Sequence, residues 1–227
     1  MSLDALPPEL PQEEAPPGRR DPTRTRQKLL DAAVAEFSEQ GFHGARTDRI
    51  ARRAGSNIRM LYHYFGNKDD LYVAALEVVL GGLRHDELQI DADTADPLDA
   101  LLQVFDYVDG HFGSHPALRK LLAFENLNEA RHLARSDRIL PMSSPVLKLL
   151  RRLLARGAAA GTVRAGVDAL HLYVAMVSLA YYGRAHAFTL SQIFGKDLHQ
   201  PAWQRAHLRQ TREMVASYLR PVDPPAR

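Results

Sequence analysis

The chain has 227 residues, 45% of them hydrophobic and 25% charged, so it is long and apolar enough to bury a sizeable core. It has no cysteine and no apolar run of 18 residues, which excludes disulfides, a thiolate nucleophile and a cysteine-based zinc site and favours a cytoplasmic protein without a membrane segment. The net charge is only +2, but residues 19–68 carry eleven basic and five acidic side chains, a segregation typical of phosphate binding.

The N-terminal part of the chain predicts a flexible extension followed by two helices. Residues 1–20 hold five prolines and few large apolar side chains, so they are expected to form no packed element. From Asp21 to Gln40 apolar residues recur at three- and four-residue intervals, and Gly41 is expected to end this helix. A second, short helix is expected to start with Thr47 as its N-cap and to end at Gly55 in a left-handed conformation.

A third segment begins at Asn57, another favoured N-cap residue, and has Leu61 and Phe65 on a narrow apolar side. Its other side is rich in hydrogen-bond donors. A helix, a glycine turn and a donor-bearing helix are typical of a helix-turn-helix, in which the second helix enters the DNA major groove. Lys68 then begins a long helix. The two glycines at 81–82 indicate either a bend in this helix or its C-terminal end.

The motif TDRIARRAGSNIRMLYHYFGNKDDL at residues 47–71 resembles the DNA-binding signature of the TetR family of bacterial transcriptional repressors. The run RTRQKLLDAAVAEFSEQGF at residues 24–42 is similar to the first helix of that family. At Arg59 and Met60 the chain departs from the Gly-Thr or Gly-Ala that the family often has before Leu-Tyr. The resemblance covers about residues 24–75.

The rest of the chain also reads as helical. The segment 168–186 is apolar around most of its circumference, which indicates burial on more than one side, as at a subunit interface. No strand-like alternation with turn signals occurs, so we predict an all-α fold. The helices expected beyond residue 90 run from Pro97 to near Gly113, from Pro116, from Pro145 to Ala160, from Asp168 to His186, from Leu190 to Phe194 and from Pro201 to Leu219.

The resemblance implies two domains and a tail. The first is a three-helix helix-turn-helix domain at residues 21–67, the second a larger helical effector-binding and dimerisation domain at 68–220, and residues 221–227 form a flexible tail. It further implies a ligand-responsive regulator, most often a repressor, that binds a palindromic operator in double-stranded DNA. The resemblance also implies a homodimer through Asp168–His186 and Pro201–Leu219. A two-fold dimer suits DNA binding, because two recognition helices about one DNA turn apart can read successive major grooves. A small-molecule effector, which the sequence does not identify, is expected to release it.

The predicted DNA contacts lie around the second helix of the motif. Arg59 is the expected base-reading residue, because a guanidinium can hydrogen-bond bidentately to guanine. Tyr62 and Lys68 are, by the family resemblance, the strongest phosphate contacts, whereas Tyr64 has inward packing as its alternative. The full predicted set is Thr47, Asn57, Ile58, Arg59, Met60, Tyr62, His63, Tyr64 and Lys68.

Two spacings of histidine and acidic residues allow an alternative to the DNA-binding regulator, namely a metal site or an enzyme. The Glu-x-x-His step at 129–132 occurs in di-iron bundles, which need a second such step and two more carboxylates, and only the Asp-x-x-His step at 168–171 offers a partial match. His111 and His115 have a spacing that can bind a metal on a helix. We expect no catalytic residue, cofactor or metal; the alternative is a helical ligand-binding protein or metal-binding bundle enzyme without specific DNA binding.

Overall fold

The structure is a computed structural model that describes residues 21–87, 93–94 and 96–221, without the side chains of residues 84–87. In this part of the chain there are ten α-helices, one short 3-10 turn and no strand, which confirms the all-α prediction. The predicted extension at 1–20 and all but the first residue of the predicted tail at 221–227 lie outside the described residues.

Three helices form a head that contains the motif, and seven form a body. The head consists of α1 (Pro22–Gly44), α2 (Thr47–Arg53) and α3 (Ile58–Phe65). The body consists of α4 (Lys68–Glu87), α5 (Pro97–Ser114), α6 (Pro116–Leu127), α7 (Ile139–Ala159), α8 (Ala169–Ala185), α9 (Ala187–Phe194) and α10 (Pro201–Leu219), with the 3-10 turn at Leu133–Arg135.

The first helix begins and breaks where the sequence predicts. Asp21 caps α1, and its carboxylate accepts a hydrogen bond from the Thr23 backbone N–H at 2.9 Å. Gly41 interrupts the helix with a φ of +66°, and a further turn follows as far as Gly44. A Cβ at position 41 would lie 3.0 Å from the Phe124 ring of α6, so both the backbone conformation and the close approach require glycine.

Two predicted features of the body are corrected by the structure. The helix predicted to start at Pro145 begins six residues earlier, at Ile139, and Pro145 lies inside it. This segment of α7 gains hydrogen bonds from the Ser143 and Ser144 hydroxyls to backbone carbonyls one turn earlier, at 3.0 and 3.2 Å. The glycine pair at 81–82 neither ends nor interrupts α4, which is continuous to Glu87.

Two hydrophobic cores organise the chain, and the first of them crosses from head to body. Leu71, Tyr72 and Leu76 of α4 and Leu121 of α6 are buried in the same core as the helices of the head. Leu61 and Phe65, the predicted apolar side of α3, are buried in it together with Ala45 and Ile50, and Phe42 is partly buried against it. The domain boundary between 67 and 68 stays a prediction, and apolar packing ties the head firmly to the body across it.

The second core lies between α5, α7, α8 and α10. A buried ion pair lies beside it: Arg184 of α8 donates two hydrogen bonds to the carboxylate of Asp109 of α5, at 2.6 and 3.3 Å. None of the helices in the described part of the chain is long and apolar enough to cross a membrane.

Candidate nucleic-acid interface

A tight turn joins α2 to α3 and sets the position of the second helix. Gly55 adopts a φ of +62°, as predicted, and the Ser56 N–H donates to the Ala51 carbonyl at 2.9 Å. Asn57 caps α3, because its side-chain oxygen accepts from the Met60 N–H at 2.9 Å. The local sequence therefore produces a helix-turn-helix with a capped second helix.

The structure divides the predicted contact residues of α3 between two directions. Ile58, Arg59, Tyr62 and His63 are exposed along one side of the helix, while Leu61 and Phe65 are buried on the opposite side as predicted. The exposed side holds one guanidinium, one hydroxyl and one imidazole, so it can donate hydrogen bonds to base edges and to phosphates.

The other two predicted residues, Met60 and Tyr64, are half-buried and follow each other by one helical turn. They line a hollow together with Pro22 and Thr25 at the start of α1. Tyr64 also packs against the head core, in line with the inward alternative of the sequence analysis. These two side chains are therefore placed at the edge of the exposed side of α3.

Thr47 has a different role from the predicted N-cap. Arg46 is the N-cap residue of α2, and Thr47 is its first residue. The Thr47 hydroxyl lies 3.1 Å from the Tyr62 hydroxyl, so the two helices are joined by a hydrogen bond on their exposed side. Each of these hydroxyls keeps further hydrogen-bonding capacity, which suits a pair that contacts the DNA backbone.

Most of the positive charge of α2 is neutralised within the head. The Arg53 guanidinium donates two hydrogen bonds to Glu39 and holds the pKa of that carboxyl below its usual value. The ion pairs of this helix are Arg49 with Glu36, Arg52 with Asp48 and Arg53 with Glu39. Because they are paired with carboxylates, these arginines have less charge to offer to phosphates, while the exposed pairs contribute little to stability.

Arg46 is a candidate contact that the sequence analysis missed. Its backbone N–H donates to Glu36 at 3.1 Å, while the residue is exposed at the start of α2. Within the described part of the chain neither Arg46 nor Arg59 takes part in a side-chain ion pair. The position of Arg46 immediately before the first helix of the motif is the feature of the sequence that indicates a DNA contact, since side chains at this point lie beside the DNA backbone.

Lys68, the first residue of α4, is held in place by an aromatic ring. Its ammonium lies 4.8 Å from the centroid of the Phe42 ring, and the residue is half-buried. Burial lowers the pKa of the Lys68 ammonium, against the opposing effect of the Asp69 carboxylate. The ring limits the number of rotamers available to this side chain, so its charge has a defined position.

The two sequence patterns that could indicate a metal site, at 129–132 and at His111 with His115, make other contacts in the structure. Glu129 has a left-handed φ of +55° and does not lie on a helix, while the imidazole of His132 is hydrogen-bonded to Glu125. The rings of His111 and His115 stack at a centroid distance of 3.9 Å. Among the described residues no group of three or more His, Cys, Asp or Glu side chains is arranged to hold a metal ion.

Family models and a curated relative match this architecture. Residues 29–75 match the model for bacterial regulatory proteins of the tetR family, and residues 97–215 match the model for the tetracyclin repressor-like C-terminal domain. The HTH-type transcriptional repressor NicS of Pseudomonas putida is 34% identical over 175 residues, which cover 77% of this chain and 82% of NicS. The chain belongs to the TetR family. It is thus a DNA-binding, ligand-responsive transcriptional regulator of the repressor type and not an enzyme, and the alternatives without specific DNA binding are not favoured.

A second curated relative and two solved structures are similar to parts or most of the chain. The HTH-type transcriptional repressor SCO4008 of Streptomyces coelicolor is 36% identical over 108 residues, 48% of this chain and 53% of that protein. A TetR regulator from Chloroflexus aurantiacus has a TM-score of 0.64 at 18% identity, with 88% of this chain and 96% of that chain covered. FadR from Bacillus subtilis, solved in complex with stearoyl-CoA, has a TM-score of 0.62 at 20% identity, with coverages of 85% and 98%. Both structures share the fold of this chain.

Proposed function

We propose that this TetR-family protein is a homodimeric repressor that binds a palindromic operator through α3 and leaves it when a small molecule binds in the body. The observation that carries the proposal is the exposed side of α3, where Arg59 stands without an ion pair among the described residues at the tip of a capped helix. One head reads one half-site. A two-fold dimer reads two half-sites, about one DNA turn apart.

The exposed residues of the head have distinct roles in this proposal. Arg59 reads a base edge in the major groove, and Ile58 contacts an apolar group such as a thymine methyl. Tyr62 and Thr47 act as a hydrogen-bonded pair toward the DNA backbone, and Lys68 supplies a fixed positive charge to a phosphate. The remaining contacts are His63 and Arg46 to phosphates, Asn57 at the start of α3, and Met60 and Tyr64 at the edge of the interface.

An exposed apolar stripe supports dimer formation through α8 and α10. Leu170, Val174 and Tyr182 of α8 are each about half exposed, although the opposite side of this helix is buried against α5 and α7. Met214 and Tyr218 of α10 are similarly exposed and follow each other by one turn. Large apolar side chains grouped in this way on a single chain mark an interaction surface. They support the interface predicted for Asp168–His186 and Pro201–Leu219.

The body has room for an effector near this surface. A cavity of about 630 Å³ lies between α8, α9 and α10 and is bounded by Tyr182, Trp203 and His207 among others. Its size is within the range of small-molecule sites. An effector releases the operator only if its affinity for the conformation that cannot bind DNA is higher than its affinity for the conformation that can.

Selection of binding sites from a random duplex pool at physiological salt, with the mass of the protein measured in solution, tests the proposed function. We expect an enriched palindrome and a mass of twice 25.4 kDa for the free protein. A pool without enrichment and a monomeric mass would contradict both the operator and the dimer.

Substitution of Arg59 by alanine is expected to relax specificity at one position of each half-site. A bidentate contact to guanine contributes about 1–3 kcal/mol of discrimination between bases. The loss of binding free energy should therefore be seen on the selected palindrome and be much smaller on random duplex. Anisotropy titrations of both duplexes measure it. Arg52→Ala is the matched control, because Arg52 is an exposed arginine paired with Asp48. Equal losses on both duplexes for Arg59→Ala would exclude base readout.

A further inference from the structure

A buried hydrogen-bonded pair lies where the body meets the head. The imidazole Nδ1 of His132 is 2.7 Å from one carboxylate oxygen of Glu125, and both residues are almost completely buried. The other oxygen of Glu125 accepts the backbone N–H groups of His132 and Leu133 at 3.2 and 3.1 Å. Glu125 thus fixes both the side chain and the backbone of the turn that carries His132.

The backbone of this turn is strained, which shows that its shape is imposed by the surroundings. Glu129 and Ala130 are consecutive non-glycine residues with φ values of +55° and +56°. Such conformations cost free energy and persist where the structure around them over-determines the backbone. The Asn128 side chain donates to the Phe124 carbonyl at 2.7 Å, and the Ala130 N–H donates to the Glu125 carbonyl at 2.8 Å.

The turn delivers His132 onto an aromatic ring of the head. The centroid of its imidazole lies 4.4 Å from that of Phe42 and 4.7 Å from that of Tyr72. The Phe42 ring in turn lies beneath the Lys68 ammonium at 4.8 Å. Glu125, His132, Phe42 and Lys68 therefore form one continuous chain of contacts from the buried body to the side of the head that faces DNA.

Ion pairs hold the start of α4 against the same turn. Arg135 contacts Asp69 at 3.2 Å and Asp70 at 2.6 Å, and Asp69 lies 3.9 Å from the free Nε2 of His132. Nε2 of His132 and the Tyr72 hydroxyl are buried without a hydrogen-bond partner among the described residues. Burial and the nearby Glu125 carboxylate raise the pKa of the Tyr72 hydroxyl, so it stays neutral. Packing of the His132 ring, more than hydrogen bonding of its outer nitrogen, thus fixes this junction.

We propose that Glu125 and His132, both in the body, are positioning residues for the DNA contact of Lys68. The hydrogen-bonded pair fixes the imidazole, the imidazole supports the Phe42 ring, and that ring holds the ammonium of Lys68 where it meets a phosphate. The inference rests on the DNA contact of Lys68 in the proposed function.

The test is the salt dependence of DNA binding by the full-length protein, on the selected palindrome and on random duplex. Removal of one phosphate contact lowers the slope of log K against log salt by about one. Lys68→Ala removes one contact from each head, so it is expected to lower the slope by about two for the dimer. His132→Gln keeps a donor for Glu125 and loses the ring. We expect it to lower the slope by about two for the dimer as well, with no further change in the His132→Gln, Lys68→Ala double variant.

Two further variants separate positioning from general loss of stability. His132→Phe loses the side-chain hydrogen bond but keeps a ring against Phe42, and Glu125 still holds the turn through the backbone N–H groups of residues 132 and 133. It should therefore retain most of the wild-type slope at temperatures where circular dichroism shows a folded protein. Arg138→Gln removes the ion pair between the exposed Arg138 of the same segment and the mostly buried Glu77, and it should leave the slope unchanged.

A wild-type slope for His132→Gln would overturn the positioning role. So would a slope change in the double variant equal to the sum of the two single changes. Random duplex makes this comparison independent of operator recognition. Binding to random duplex without any enriched palindrome refutes the proposed repressor while the slopes still decide the role of His132. Absence of binding to any duplex refutes both proposals.

Discussion

Val174→Asp is expected to convert the dimer into a monomer and to weaken operator binding by about 10²- to 10⁴-fold. Val174 lies in the middle of the exposed α8 stripe, between Leu170 and Tyr182. In a two-fold interface the substitution brings two carboxylates into an apolar surface, where charges are poorly solvated. A monomer binds one half-site and loses the gain in effective concentration that a second linked head provides. Sedimentation velocity and anisotropy titrations measure the two effects.

Leu140→Asp is the matched control for this experiment. Leu140 is an even more exposed aliphatic residue, at 77%, but it lies on α7 away from the stripe. We expect this variant to remain dimeric and to bind the operator as the wild type does. A Val174→Asp variant that also remained dimeric and fully active would show that the interface lies elsewhere on the body.

Asp109→Ala is expected to destabilise the fold by about 3–5 kcal/mol, because it leaves the Arg184 guanidinium without its carboxylate in a poorly solvated site. Asp109 is only 3% exposed, and both of its oxygens accept hydrogen bonds from Arg184. Urea unfolding followed by circular dichroism, at one fixed protein concentration, measures the loss.

Asp106→Ala provides the comparison within the same helix. Both carboxylate oxygens of Asp106 lie 3.1 Å from the Nε of Arg212 in α10 and share its single N–H, but both side chains are about 40% exposed. An exposed pair contributes about 0–1 kcal/mol, so this variant should unfold close to the wild-type midpoint. Similar losses for the two variants would show that burial does not distinguish the two pairs.

The sequence by itself determined the features that depend on neighbouring residues. Asn57 and Asp168 cap the helices predicted to begin at them, because a side-chain oxygen reaches a backbone N–H only three residues away. Gly41 and Gly55 have positive φ values where the periodic pattern stops. The helix-turn-helix and the family follow from these local signals, since the motif spans a single stretch of chain.

Only the tertiary structure decided which charged and aromatic residues are available for function. Arg53 is paired with a residue fourteen positions away, while Arg46 and Arg59 have no ion pair among the described residues, and composition alone does not distinguish the three. Gly82 lies inside α4, where a Cβ would be 3.4 Å from the His111 ring of another helix.

The junction of head and body depends still more on distant parts of the chain. The contact of His132 with Phe42 joins residues ninety positions apart, and it forms because a strained turn held by Glu125 carries the imidazole to the head. Helix periodicity and capping act over three or four residues. The folding of one helix against another is what selects the partners of buried polar groups, so the sequence determined the elements and the tertiary structure decided their contacts.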